Sequence, residues 1–227
     1  MATFRKYPLE NGNYFHVFSK SIAKFVVFNN DIEFSRMYEL IDLCRFSNFN
    51  YKMSRFKNFG ISTQNAIITK IKKENNRLVE IISYCLMPTH LHFILKQMKD
   101  NGITKYMSRI LNSYSKYFNL RHKRSGPLWT SEFKNVLIEN NEQLLHLTRY
   151  IHLNPASAGI VAKPEDWKFS SYRDFITPQQ NKRESICKFD YLFNITPNDY
   201  KRFVDDQKSY QKKLSRIKNL LIYDYSG

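Results

Sequence analysis

The sequence predicts an α+β fold, built from an antiparallel sheet with helices packed against one of its faces. Short apolar runs of strand length alternate with longer segments in which apolar residues recur at helical spacing. The strand-like runs also come in neighbouring pairs, which favours antiparallel pairing. With 227 residues, of which 42% are hydrophobic and 15% aromatic, the chain is long enough to bury a sizeable core.

The first half of the chain alternates between strands and helices. Asn30 offers a helix N-cap, and Glu33 follows it at the spacing of a capping box. Pro88 interrupts a strand-like apolar run, so we predict that this run forms the two arms of a hairpin. The predicted elements are strands over 14–19, 24–28, 78–87 and 90–96, a helix over 31–46 and a helical turn over 65–73.

The second half continues in the same way up to a polar, basic C-terminal region. Gly102 precedes a helix that we predict over 103–120, and a strand follows over 133–139. The next helix is capped by Asn140 or Asn141 and should end before Pro155, because proline disfavours helical geometry at the preceding residue. Beyond it we predict a basic helical tail, since the stretch 201–218 holds seven Lys and Arg residues against two Asp.

The charge balance points to a polyanionic partner. Lys and Arg number 36 against 20 Asp and Glu, which gives a net charge of +16 and a pI near 9.7. Because aromatic residues are interleaved with these charges, we favour nucleic acid over a lipid surface. The three cysteines form no Cys-x-x-Cys pair, and we identify neither a signal peptide nor an apolar run of membrane length. We therefore predict a reduced protein that is cytoplasmic and nucleoid-associated.

Two residue pairs are the features most suggestive of chemistry. His90 and His92 are at i and i+2 of a strand-like run, so both imidazoles should project from one face and supply half of a divalent metal site. Tyr150 and Asn154 are four residues apart on a predicted helix and share a face. A tyrosine oxygen beside a divalent cation and a phosphate can attack phosphorus, and the Asn154 amide could complete the metal shell. Taken alone, a His-x-His pair is common, and Tyr150 reads more simply as a packing residue.

Basic and aromatic residues near these pairs are candidates for DNA contacts. A positive cluster precedes a Gly-Pro turn, and Lys134 begins the strand that leads to the Tyr150 helix. Trp129 is equally compatible with stacking on a base and with capping the sheet as a core residue. We assign no metal role to the other histidines, including His16. The predicted DNA-binding residues are Arg121, Lys123, Arg124, Trp129, Lys134 and Arg149.

Four segments in a fixed order carry a resemblance to a known family. The chain resembles the Y1 transposases of the HUH single-strand nuclease superfamily. More closely, it resembles the REP-associated tyrosine transposases, which are relatives of the IS200/IS605 transposases. The resemblance covers roughly residues 14–175, and its segments are 84–92, 125–129, 149–155 with Ala158 and Gly159, and 167–173.

The resemblance implies a ferredoxin-like α+β core and a role for each residue of the two pairs. His90 and His92 would be the ligands of Mg²⁺ or Mn²⁺. Tyr150 would be the nucleophile that becomes joined to the 5′ phosphate of the cut strand. Asn154 occupies a position where relatives often place a metal-binding Gln, which is longer by one methylene. The implied substrate is single-stranded DNA with hairpin structure, and a homodimer is compatible with the resemblance.

The resemblance also implies a division of the chain and leaves other functions open. We predict a transposase catalytic domain over 1–178 and a basic C-terminal appendage over 179–227. One alternative is a protein of the same fold that binds structured DNA or RNA without cutting it. Others are a nuclease that hydrolyses with water and leaves Tyr150 idle, and a related replication initiator or relaxase.

Overall fold

A four-stranded antiparallel sheet with the strand order β2-β3-β1-β4 forms the centre of the protein. The computed structural model describes residues 8–130, 132–178 and 185–206. The strands are β1 (Tyr14–Lys20), β2 (Val79–Met87), β3 (His90–Gln97) and β4 (Lys134–Ile138). The helices are α1 (Asp31–Cys44), α2 (Met53–Lys57), α3 (Ile61–Glu74), α4 (Gly102–Arg121), α5 (Asn141–Ser157), α6 (Tyr172–Ile176) and α7 (Pro197–Asp205). The predicted α+β architecture with an antiparallel sheet is confirmed.

Helices cover both faces of the sheet. On one face, Phe93 of β3 meets Tyr106 of α4 with ring centroids 6.2 Å apart. The Tyr106 hydroxyl donates to the Ile41 carbonyl at 3.2 Å, which joins α1 to the same layer. On the other face, His92 of β3 meets Tyr150 of α5 at 5.8 Å. The prediction that all helices share one face is therefore wrong, because β3 is buried on both sides.

The predicted cap of α1 is confirmed, and it is linked to the end of α4. The Asn30 side chain accepts hydrogen bonds from the backbone N–H groups of Ile32 and Glu33. The Glu33 carboxylate is fully buried and accepts from the backbone N–H of Asn29 at 2.8 Å. His122, just beyond α4, lies 2.6 Å from the same carboxylate. Glu33 therefore connects the start of α1 to the end of α4.

Two predicted elements differ from the structure. Residues 24–28 form no strand, because the chain makes a short 3-10 turn over Ile22–Lys24 and then runs irregularly. Helix α5 continues through Pro155 to Ser157. The proline removes one backbone donor, but the turn is closed beyond it, because the N–H of Ala158 donates to the Asn154 carbonyl and that of Ile160 to the Pro155 carbonyl.

The region between α1 and β2 holds more helix than the sequence indicates. Helix α3 exceeds the predicted turn over 65–73 at both ends, and α2 was not predicted. Asn75 ends α3 in the left-handed conformation, with φ at 50°. Such a C-cap is most often glycine, so this asparagine is a weak signal in the sequence.

Residues 185–206, which fall within the predicted C-terminal appendage, pack on the sheet and on α5. The backbone N–H of Lys188 donates to the Ile81 carbonyl of β2 at 2.8 Å. The Tyr200 hydroxyl of α7 lies 2.7 Å from Nδ1 of His152 and 2.9 Å from the Thr148 hydroxyl, both on α5. Most of the basic helix predicted over 201–218 lies outside the described residues. The domain division at 178 stays a prediction.

No helix in the described ranges combines the length and apolar character that a membrane crossing needs.

Gly102, the first residue of α4, is expected to tolerate no side chain. A Cβ atom there would collide with the Leu78 carbonyl oxygen. Leu78 cannot move aside freely, because its backbone is hydrogen-bonded to Arg45 and Met98. We predict that Gly102→Ala lowers the free energy of unfolding by about 1–3 kcal/mol, measured by urea denaturation.

The matched control is Gly60→Ala, where a Cβ would meet nothing within 4 Å. Gly60 is the N-cap of α3, where glycine is preferred to alanine, so its replacement should cost about 0.5–1 kcal/mol without any steric collision. Equal effects of the two substitutions would show that the close approach at Gly102 relaxes without cost.

Candidate active site

Strand β3 and helix α5 bring the two predicted residue pairs together. His90 and His92 project from the same face of β3, and their ring centroids are 5.1 Å apart. Tyr150 of α5 lies over this face, with its ring 5.8 Å from that of His92. Both imidazoles and the phenol meet within one chain. The i, i+2 and i, i+4 spacings predict that each pair shares a face; that the two faces meet is a finding of the structure.

A third histidine, His16, belongs to the same cluster, although we predicted no metal role for it. His16 of β1 is 1% exposed, and its Nε2 lies 3.0 Å from Nδ1 of His92. The two rings are nearly parallel, with centroids 5.2 Å apart. A single polar residue within the otherwise apolar strand Tyr14–Phe18 was the only sequence signal. Only the strand pairing shows that His16 lies beside His92.

Both predicted metal ligands are anchored through the same ring atom. Nδ1 of His90 lies 3.0 Å from the Thr89 hydroxyl, and Nδ1 of His92 is paired with His16. No hydrogen bond in the described part of the chain engages the Nε2 atoms of these two rings. An imidazole held at Nδ1 by a neighbour is the usual arrangement of a histidine that binds a metal through Nε2.

Burial keeps the three imidazoles neutral. It lowers the pKa of His16 to about 3 and that of His90 to about 4, and Lys20 also lowers the latter. Burial also lowers the pKa of His92 well below its usual value, with smaller contributions from His16 and His90. Neutral imidazole is the form that binds a metal, so the rings need lose no proton near neutral pH.

The histidines and Tyr150 open into a cavity of about 490 Å³ that carries positive charge. Lys20 and Lys24 line it, and none of the described lining residues is acidic. Its lining residues are His16, Phe18, Lys20, Ser21, Ala23, Lys24, Thr89, His90, His92, Thr130, Tyr150 and Asn154. Such a cavity suits an anionic ligand such as a phosphodiester.

Asn154 lines the same cavity as Tyr150. Its amide nitrogen lies 3.5 Å from the Tyr150 carbonyl oxygen, which is the limit for a hydrogen bond. Burial raises the pKa of Tyr150, and a side-chain hydrogen bond from Asn154 opposes this shift. The phenol therefore holds its proton until another group assists its ionisation.

The donor atoms present fit a divalent cation with an open coordination shell. Two imidazole Nε2 atoms and one amide oxygen supply at most three ligands, which leaves positions for phosphate oxygens and water. Across residues 8–130, 132–178 and 185–206, no group of three or more His, Cys, Asp or Glu side chains is arranged to hold a metal. A closed structural metal site is thus absent from that part of the chain, whereas the open arrangement suits catalysis.

Four of the six residues predicted to bind DNA are at the surface, and two are not. Trp129 packs among core aromatics and donates to the Leu111 carbonyl, so it is the core residue of the two alternatives. Arg149 is 2% exposed and lies 4.0 Å above the ring of Phe203 in α7. This burial corrects the expectation that either side chain contacts DNA. The surface set is Arg121, Lys123, Arg124 and Lys134.

The neutral histidines make the stability of the protein depend on pH. Their pKa values are depressed in the folded state, so below about pH 6.5 the unfolded chain binds more protons than the folded one. We predict that these histidines leave the free energy of unfolding unchanged between about pH 6.5 and 8. It should fall between about pH 6.5 and 4, by up to about 1.4 kcal/mol per pH unit for each such histidine. Urea titrations in the presence of EDTA measure this slope.

The variant His152→Gln is the control for this slope. His152 is fully buried, and burial lowers its pKa to about 3. Replacing His152 should reduce the slope of the free energy of unfolding against pH by the contribution of one histidine, even if it also changes the absolute stability. Stability that is independent of pH across this range would show that the imidazoles take up protons equally in the folded and the unfolded protein, so that their pKa values are not depressed by folding.

Three comparisons place these features among known proteins. The family model described as Transposase IS200 like matches residues 48–154. An Escherichia coli REP-associated tyrosine transposase is 26% identical over 103 residues, which cover 45% of this chain and 59% of that protein. A Haemophilus influenzae protein, provisionally named as the same kind of transposase, is 27% identical over 104 residues, covering 41% and 58%. The chain thus aligns with little more than half of each relative.

A solved structure resembles the fold. It is described as the REP-associated tyrosine transposase bound to a REP hairpin, and the two share 18% identity with a TM-score of 0.50. The match covers 86% of this chain and 99% of that one. At this identity the likeness is evidence for the fold. The resemblance inferred from the sequence is confirmed: the chain is similar to the IS200-like transposases over residues 48–154 and to REP-associated tyrosine transposases in sequence and fold.

Proposed function

We propose that this protein is a metal-dependent tyrosine transposase that cleaves and rejoins single-stranded DNA containing hairpins. The observation that carries the proposal is the position of Tyr150. Its ring lies over His92 in a cavity lined by lysines and free of described carboxylates. A phenol held beside two neutral imidazoles and two cations is arranged to attack a phosphodiester.

In the proposed first step, the Tyr150 oxygen attacks the phosphorus of the scissile phosphodiester. The bond from phosphorus to the 3′ oxygen breaks, and this oxygen leaves as a 3′-OH after taking up a proton. The phenol gives up its proton to solvent as the new bond forms, and the 5′ phosphate remains joined to Tyr150. Attack by a 3′-OH on this phosphotyrosine reverses the step and joins the strands. The number of phosphoester bonds is conserved, so no nucleotide cofactor is needed.

Each side chain of the cavity receives a role in this proposal. His90 and His92 would hold the divalent cation through Nε2, and Asn154 would contribute its amide oxygen. A bound Mg²⁺ or Mn²⁺ supplies charge that stabilises the developing negative charge on phosphate. Lys20 and Lys24 bind the phosphate and favour the ionised phenol of Tyr150, whose pKa burial raises.

The substrate class comes from the comparisons. The similar structure was solved with a REP hairpin, and the similar proteins are named for REP elements. We infer that this chain also acts on imperfect hairpins with single-stranded flanks, in the cytoplasm where chromosomal DNA is accessible. The proposed contacts to the DNA backbone are the exposed residues Arg121, Lys123 and Lys134 and the half-buried Arg124.

Tyr150→Phe should abolish the covalent protein–DNA adduct and leave DNA affinity within about twofold. The substitution removes only the attacking oxygen, and the ring still fills its place. Purified protein is incubated with labelled hairpin DNA and Mn²⁺ or EDTA, and adducts are counted on a denaturing gel. The control is Tyr117→Phe, which removes the hydroxyl of a half-buried tyrosine outside the cavity.

Three outcomes of this assay separate the functions considered. A metal-dependent adduct in the wild type and in Tyr117→Phe, but not in Tyr150→Phe, supports the proposal. Cleavage that persists in Tyr150→Phe would identify a hydrolytic nuclease. Binding without cleavage or adduct across a panel of hairpins would leave a binding protein.

His90→Ala should weaken Mn²⁺ binding by at least about tenfold without unfolding the protein, because one of two imidazole ligands is lost. His90 is half-buried at the start of β3, so the sheet should survive its truncation. Electron paramagnetic resonance of Mn²⁺ measures binding directly, and circular dichroism reports the fold.

His146→Gln is the control, since His146 lies on α5 and contacts Phe203 rather than the cavity. Equal Mn²⁺ affinity in His90→Ala and the wild type would remove His90 from the metal site.

A further inference from the structure

The segment that follows β1 borders the cavity in a strained conformation. Ala23 and Lys24 have φ values of 49° and 59°, a region that residues with a Cβ adopt at a cost of about 1–3 kcal/mol each. Both residues line the cavity. Two consecutive residues of this kind persist only where the surroundings impose the conformation, and such strain is concentrated at functional sites.

The neighbouring main chain supplies this constraint. The backbone N–H of Ser21 donates to the Thr89 carbonyl at 2.8 Å, in the turn that precedes the metal-site histidines. At the other end, the N–H of Val27 donates to the Pro88 carbonyl at 2.8 Å. Residues 22–26 are therefore held at both ends against the β2–β3 turn. Their conformation is coupled to the position of His90.

The strained segment exposes three large apolar side chains. Ile22 is 36% exposed, Phe25 43% and Val26 41%, whereas Val27 and Phe28 are buried. Exposed apolar side chains are common singly, but three in a five-residue segment whose other two residues line the cavity indicate a contact surface. A strand over 24–28 would have alternated between the faces of a sheet; the observed turn instead presents Phe25 and Val26 to solvent.

Phe25 is fixed in place by its neighbours. The guanidinium of Arg124 lies 5.3 Å from the centre of its ring, and Phe118 meets it edge to face at 5.8 Å. Arg124 is in turn oriented by hydrogen bonds to the Asn119 side chain and to the Pro127 carbonyl. The guanidinium lies over one face of the ring, and an aromatic ring combined with an arginine is a surface on which nucleobases stack.

We propose that Ile22, Phe25 and Val26 form a stacking platform for one unpaired base of the DNA strand whose phosphate enters the cavity. The platform rests on the proposed function, since it takes the same strand. One nucleotide is chemically complementary to this segment. Its base matches the apolar surface at Phe25, and its phosphate matches the cation at Lys24. A second copy of this chain is a poorer fit, because it would bring the same positive charges to the patch.

The platform is tested by binding of a single-stranded DNA oligonucleotide of mixed sequence that carries 2-aminopurine at successive positions. Stacking tolerates any base, so no knowledge of the recognised hairpin is needed. Phe25→Ala should weaken binding by about 5- to 150-fold, and the quenching of 2-aminopurine by the wild type should be lost. Phe25→Trp should restore both, which a folding defect would not allow.

The salt dependence of DNA binding distinguishes base stacking from electrostatic attraction to the phosphate. The loss in Phe25→Ala should be the same at low and high salt, whereas the loss in Lys24→Gln should shrink as salt rises. Tyr191→Ala is the control, because Tyr191 is 58% exposed and does not line the cavity. It should bind as the wild type does.

Three results would overturn the platform. If the wild type binds and Phe25→Ala behaves like Tyr191→Ala, the platform is absent while the proposed substrate stands. If the wild type does not bind single-stranded DNA, the proposed substrate fails as well. If sedimentation shows a wild-type dimer that Phe25→Ala dissociates, the patch is an interface between copies.

Discussion

The antiparallel pairing of β1 with β3 in one register is the constraint on which the site depends. This register places Phe18 opposite His92 and Lys20 opposite His90. Side chains alternate between faces along a strand, so a slip of one residue would send His16 and Lys20 to the opposite face. Phe15 and Val17, which are fully buried under the α1–α4 layer, hold the register against this slip. Core packing on one face thus fixes the polar cluster on the other.

Contacts on the side opposite the cavity fix the orientation of helix α5. His152 and Thr148 are bonded to the Tyr200 hydroxyl, and Arg149 lies over the ring of Phe203, so α7 holds residues on both sides of Tyr150 in sequence. Polar contacts of this kind are directional, whereas apolar packing alone would leave the rotation of a helix less sharply defined. Helix α7 therefore positions Tyr150 without lining the cavity, and its own anchoring residues lie in the region predicted to be an appendage.

The sequence could predict those parts of the site that are local in the chain. The spacing of His90 and His92, and of Tyr150 and Asn154, fixes which side chains share a face once the element type is known. It could not predict His16, because the contact with His92 joins residues 76 positions apart. Nor could the sequence show whether Arg149 is exposed or buried. An arginine next to Tyr150 is compatible both with DNA binding and with the contact to α7.

The same distinction explains the errors in secondary structure. Residues 25–28 carry the apolar pattern of a strand, but the backbone N–H groups of Val27 and Phe28 donate to the Pro88 carbonyl of the β2–β3 turn rather than to a neighbouring strand. Pattern alone does not reveal where backbone groups find partners. The prediction placed the helices on one face only, although the high apolar content of β3 is typical of a strand that is buried on both faces. The histidines mark the more polar of these two faces.

The cavity carries several unfavourable features that the rest of the fold offsets. Ala23 and Lys24 are strained, and among described atoms Nδ1 of His16 and the Ser21 hydroxyl are buried without a hydrogen-bond partner. Two lysines also face neutral imidazoles with no acidic residue beside them in the described lining. A site selected for stability alone would have lost these features. They are consistent with a cavity that is completed by a charged ligand, because an anionic strand and a cation would together neutralise the lysines and engage the free imidazole nitrogens. The long-range field of a chain with net charge +16 attracts such a strand, while the local geometry determines which of its atoms meets Tyr150.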